Sequence, residues 1–136
     1  MITLEQFWMK RDKAYASDLT PEIVSNAQET VRRANELLNR FYEANPNAVR
    51  RGVNSGWRPP SVNAATKNAA KRSNHMLGKA IDIGDQDGAL DKWLITEAGL
   101  TALVEIGLWM EHPNATPGWA HVQIVSPASG RRVFHP

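Results

Sequence analysis

Apolar residues at Ala27, Val31, Ala34, Leu38 and Phe41 recur at alternating steps of four and three, which lines them along one face of a long helix and predicts a stripe turned to the core. Thr20 followed by Pro21 supplies a side-chain cap and a proline at the first helical position, and Asn45-Pro46 ends the run. Thr3 and Gln6 are spaced as a capping box, so residues 1–46 are expected to be helical. The pattern then breaks. From Val49 to Gly84 the chain is rich in small and polar residues, with Pro59-Pro60 and several asparagines, a composition that places sites on loops. Short elements are expected within it: a strand over 53–57, a helix over 61–70, a strand over 79–83 and a turn over 85–88. Leu90, Trp93 and Leu94 suit one helix, and Leu100, Leu103, Val104 and Ile106 a second that stops near Gly107. Strands are expected over 108–111 and 119–125. The stretch from His112 to Gly118 between them is full of turn formers, which predicts an antiparallel hairpin. Helices first and strands later give an α+β class: one domain over 1–136, with a helical portion (1–46) packed on a small antiparallel sheet that carries the portion of interest (49–125).

Composition narrows the chemistry. A chain of 136 residues with 42% hydrophobic content can bury a core without crosslinks. It has no cysteine, so a transition metal must be held by imidazole and carboxylate groups. A formal charge of +2, with positive and negative residues alternating through most of the chain, does not demand a nucleic-acid partner. Lys67, Lys71 and Arg72 form the one tight basic cluster near the motifs and are expected on a solvated face; a nucleic-acid-binding domain built on them is the least favoured alternative. No run is long enough to span a membrane, and Met1 to Arg11 lacks the pattern of a secretion signal. A monomer is expected, made in the cytoplasm and delivered by another system if its target lies outside.

The chemistry concentrates in Ser73-Asn74-His75-Met76-Leu77-Gly78-Lys79-Ala80-Ile81-Asp82. His75 precedes a glycine-containing turn and Asp82 lies in a strand, so their side chains can converge. Trp119-Ala120-His121-Val122-Gln123 offers a third ligand, a histidine inside an apolar strand. Two imidazoles and one carboxylate leave the fourth tetrahedral position of zinc open for water, as catalysis requires. The same spacing also serves two hydrogen-bonded core histidines and an aspartate at a strand end. Trp57, Trp109 and Trp119 suit the walls of a cleft or a core equally. His112 and His135 are expected at the surface, and Asp85 to Gly88 lacks the later glutamate of a calcium loop.

Ser-x-His-x-x-Gly-x-Ala-x-Asp over Ser73 to Asp82, Trp-x-His over Trp119 to His121, and Ser55-Gly56-Trp57-Arg58 in place of a Ser-Gly-Tyr-Arg segment together resemble the zinc D-Ala-D-Ala carboxypeptidase and L-alanyl-D-glutamate endopeptidase family. That family includes phage endolysins and shares the Hedgehog/DD-peptidase fold. The resemblance covers about residues 54–125 in order. It implies one zinc ion held by His75, Asp82 and His121, a peptidoglycan stem peptide as substrate, and Arg58 as the cation that anchors substrate or steadies an oxyanion. Ser73 supports the site or touches substrate, and Trp119 borders it. Where the family carries an acidic general base, three residues before the last histidine, this chain has Gly118. Glu111 is the candidate replacement, because a hairpin would set it beside Gly118 or Trp119. A zinc domain that binds wall peptide or a phage structural protein without cutting is the alternative that Gly118 suggests.

Overall fold

The N-terminal capping signals act as the sequence predicts. In the computed structural model, which describes residues 1–136, Thr3 accepts from the Gln6 amide while the Gln6 side chain reaches back to the Thr3 amide, and α1 (Leu4–Trp8) follows. A short α2 (Arg11–Ala14) leads to α3 (Pro21–Ala44), which starts at the Thr20 cap and ends at Asn45. All five stripe residues are buried on α3, joined by Thr30 and Leu37.

The remaining elements are β1 (Val53–Ser55), α4 (Pro60–Ala65), β2 (Ala80–Gly84), α5 (Ala89–Leu94), α6 (Glu97–Ile106), β3 (Trp109–Glu111), β4 (Trp119–Gln123) and β5 (Val133–Phe134). The fold is α+β, and its five-stranded sheet runs β1-β2-β4-β3-β5. The β3–β4 hairpin is antiparallel as expected, but the sheet is mixed, because β5 pairs in parallel with β3. Strand alternation sorts the two faces. Ile81, Ile83, Met110, Ala120 and Val122 point into the same core as the α3 stripe, Leu94 and Leu103. Their neighbours Asp82, Glu111, Trp119, His121 and Gln123 therefore occupy the opposite face.

Several boundaries differ from expectation for local reasons. β1 stops at Ser55 because the next backbone donors leave the sheet: Trp57 N–H donates to the Phe7 carbonyl at 3.2 Å and Arg58 N–H to the His75 carbonyl at 3.1 Å. The helix expected over 61–70 ends at Ala65. Asn63 turns its amide onto the Ala70 carbonyl at 2.8 Å, and Asn68 takes a left-handed φ of 62°, which folds the chain back instead of extending the helix. β4 spans Trp119–Gln123, and Ile124 N–H extends its ladder by one bond, to the Lys79 carbonyl just before β2 at 3.0 Å.

Candidate metal centre

Two central strands and one tight turn build the site. The antiparallel register of β2 and β4 sets Asp82 directly opposite His121, which brings together residues 39 positions apart. His75 arrives from a 3-10 turn, Asn74–Leu77, whose start is capped by the Ser73 hydroxyl accepting from the His75 amide at 3.2 Å. Helix α3 holds this turn from behind: Thr30 donates to the Gly78 carbonyl at 2.8 Å and Asn26 to the Leu77 carbonyl at 3.0 Å. Gly78 is needed there, because its φ is +72° and a Cβ would lie 2.9 Å from the Ile23 carbonyl oxygen. The long helix thus fixes the ligand loop.

The donor atoms of His75, Asp82 and His121 lie within 4.8 Å of one another, and all three residues are buried. His75 Nε2 stands 3.3 Å and His121 Nδ1 2.8 Å from the same oxygen, Asp82 Oδ1. His75 Nδ1 lies 2.8 Å from the Gly56 carbonyl, which can only accept, so this nitrogen carries the proton and donates. Nε2 is then a bare lone pair aimed at a carboxylate, and it makes no hydrogen bond. A cation between them turns this repulsion into attraction. The residues present therefore fit a single divalent ion, and imidazole with carboxylate is a donor set suited to zinc.

No family model matches this chain, and no curated protein or solved structure is significantly similar to it. The site must be judged on its own geometry and charge.

Burial pushes the His75 imidazole below its ordinary value, which keeps it neutral, as a ligand must be. Burial alone would lower His121 too, but the hydrogen bond and charge of Asp82 outweigh it and raise His121 above its ordinary value. Burial would raise Asp82, yet the hydrogen bond and charge of His121 hold its carboxyl well below the usual carboxylate range. Without metal, a proton shared by His121 and Asp82 takes the cation's place.

Arg58 flanks this cluster. Its backbone is bonded to the His75 carbonyl, its Nη2 donates to Ser73 Oγ at 3.3 Å, and no carboxylate lies within ion-pair distance of it. Asp82 and Glu111 act on it electrostatically from further away. It is a cation with most of its donors free, not half of a surface ion pair. Ser73 is buried, its hydroxyl tied to His75 and Arg58, so its visible role is support.

Glu111 is at the site, but through a different neighbour from the one expected. The β3–β4 register, Trp109 opposite Gln123 and Met110 opposite Val122, carries Glu111 to His121 instead of Gly118 or Trp119. The cause is the 3-10 turn Pro113–Ala115, which takes up chain between the strands. Glu111 Oε1 is 3.8 Å from His121 Nε2, and burial, the largest influence, raises its pKa. Gly118 sits at φ +94°, a conformation that L side chains rarely adopt, which gives a backbone reason for glycine where the family pattern has an acid.

Trp119 and Trp109 are half-buried on the site face, whereas Trp57 is core, fully buried with its indole N–H bonded to the Met76 carbonyl at 3.0 Å. His112 and His135 are not among the clustered donors and stack on each other with ring centroids 4.6 Å apart; His135 is exposed as expected, whereas His112 is half-buried. Lys71 and Arg72 are exposed, as expected of a solvated face. Charge along the chain alternates less than expected: residues 44–81, which supply His75, Arg58 and Ser73, contain no Asp or Glu at all. Sequence reasoning missed Gln123, whose Oε1 lies 3.0 Å from His121 Nε2. The two-residue strand period from His121 was the signal that could have found it.

Proposed function

We propose that this protein is a zinc-dependent peptidase of the Hedgehog/DD-peptidase fold, hydrolysing a peptide bond in D-amino-acid-containing stem peptides of peptidoglycan. The observation that supports this most is the meeting of His75, Asp82 and His121, remote along the chain, with a buried His75 Nε2 left unbonded beside a carboxylate. The ordered motifs that include Arg58 point the same way. Zinc held by these three residues would supply Lewis-acid chemistry, activating water and polarising the scissile carbonyl.

The chain's own groups do the rest. Glu111, the nearest carboxylate outside the ligand set, accepts the proton of the attacking water and returns it to the leaving amine. Its raised pKa makes it a better acceptor than an exposed glutamate. Arg58, free of carboxylate partners, steadies the negative oxygen that develops during amide hydrolysis or anchors a peptide carboxylate, with Ser73 fixing its orientation. Trp119, half-buried on the ligand-bearing face of β4, is the residue assigned to substrate contact. Release of new amino groups from purified peptidoglycan, abolished by chelator and restored by zinc, is the direct test.

Gly118 supports a second reading, a zinc domain that binds wall peptide or a phage structural partner without cutting it. Zinc-dependent retention on peptidoglycan with no new amino groups would favour that reading and exclude hydrolysis.

A further inference from the structure

We propose that Gln123 is a positioning residue, which holds a hydrogen of His121 on Nε2 so that Nδ1 is the nitrogen offered to a metal; the inference rests on the metal-site reading above. Gln123 is only 4% exposed, at the end of β4 between Ala80 of β2 and Trp109 of β3. Its side-chain NH2 donates to the Val125 carbonyl at 2.8 Å, within its own strand segment. That bond fixes the amide's orientation, because a flipped amide would set its oxygen against the Val125 oxygen. Oε1 must then face His121 Nε2, at 3.0 Å, and an amide oxygen can only accept. The other polar group near this nitrogen, Glu111 Oε1 at 3.8 Å, is an acceptor as well. Nothing around Nε2 can donate to it.

Nε2 therefore holds a hydrogen, and once a cation displaces the proton that Nδ1 shares with Asp82, Nδ1 is the lone-pair nitrogen of the neutral ring. Nδ1 is also the one turned to Asp82 Oδ1 at 2.8 Å. His75 is organised the opposite way round, with Nδ1 donating to the Gly56 carbonyl and Nε2 bare. Two unlike devices, a backbone carbonyl and an oriented amide, thus turn one ring nitrogen from each histidine to a single carboxylate oxygen. The side-chain hydrogen bonds of Gln123 go to His121 and Val125 and not to Asp82, so it acts through His121.

The test compares Gln123→Met, which keeps length and removes the acceptor, with Gln123→Glu, which keeps an acceptor. Zinc affinity, measured by competition with a chromophoric chelator, is expected to fall about 10–100-fold in Q123M and to stay near the original in Q123E. Nitrogen-15 spectra of the imidazoles at pH 9 are expected to show His121 protonated at Nε2 in the native protein, with and without zinc, and in Q123E. In Q123M they are expected to show a tautomer mixture without zinc. A purely structural role would lower unfolding stability in Q123M without moving the tautomer. Equal zinc affinity and an unchanged His121 tautomer in Q123M would overturn the proposal. Failure of the native protein to bind zinc would overturn the metal-site reading, while the spectra of metal-free protein would still decide whether Gln123 sets the tautomer.

Discussion

Gly56→Ala is expected to damage both the fold and the metal centre, because one backbone contact serves both. A Cβ on Gly56 would lie 2.0 Å from the Phe7 carbonyl oxygen and 2.8 Å from its carbon, where real Cβ atoms stay beyond 3.0 Å. No flexible side chain can yield, since the obstacle is backbone at the end of α1, so the two segments must separate by about 1 Å. The Gly56–Trp57 peptide carries both the Gly56 carbonyl that orients His75 at 2.8 Å and the Trp57 N–H that donates to the Phe7 carbonyl at 3.2 Å. A displacement of about 1 Å takes either bond out of range. Overpacking of this kind costs about 1–3 kcal/mol, and each lost bond about 1 kcal/mol, so about 3 kcal/mol of stability should go. For a chain of this length that is a fall in Tm on the order of 10 °C. Losing the partner of His75 Nδ1 should weaken zinc binding about 10–100-fold. Urea unfolding of metal-free protein, followed by tryptophan fluorescence, measures the first effect and chelator competition the second. Gly52→Ala is the control: nothing lies within 4 Å of its Cβ, and a change below about 0.5 kcal/mol is expected. If G56A unfolds and binds zinc like the native protein, the coupling of α1 to the ligand turn is wrong.

Glu111→Gln should lower kcat for stem-peptide hydrolysis about 10²–10⁴-fold with zinc content unchanged; undiminished turnover rejects Glu111 as the base. Asp91 gives a pH signature: burial first, then the charge of Asp85, push its carboxyl from 3.8 up to about 7, against the Thr116 hydroxyl bond. Because the folded form keeps a proton that the unfolded chain releases between those values, this group makes stability fall as pH rises from 3.8 to 7. Asp91→Asn removes that slope, so relative to the native protein the variant should gain about 2 kcal/mol between pH 5 and pH 8; parallel pH profiles in chemical denaturation would refute it. Zinc at a hundredfold excess over Kd should stabilise the fold by about 2.7 kcal/mol, so chelator should lower Tm by several degrees, and an unmoved transition contradicts a filled site.

What the sequence made legible was whatever a local signal carries. The α3 stripe, its Thr20 and Asn45 ends and the Gly107 stop follow from helix period and capping, and all stand in the structure. The two strands bearing Asp82 and His121 were legible from alternation, and their pairing brings the ligands together. Long-range choices were not. β5 spans two residues, too few to show a period, and it joins the sheet only through β3. The position of Glu111 depended on how much chain the 112–118 connection absorbs, which turn composition does not specify. Asp85 reads in the sequence as one residue of a turn, and the structure adds that it is buried, accepting from the Leu90 and Asp91 amides at 3.0 and 2.8 Å at the start of α5. Gly56 looked like part of a motif, and only the packed Phe7 carbonyl shows the physical need for it.

Calorimetric titration of zinc into metal-free protein, run beside His75→Ala, Asp82→Asn and His121→Ala, bears most directly on whether these side chains form a metal centre. One ion per chain is expected, with each variant losing more affinity than the ~10–100-fold typical of an outer-shell change. Zinc that binds with no fixed stoichiometry, or that binds all three variants as tightly as the native protein, would contradict it.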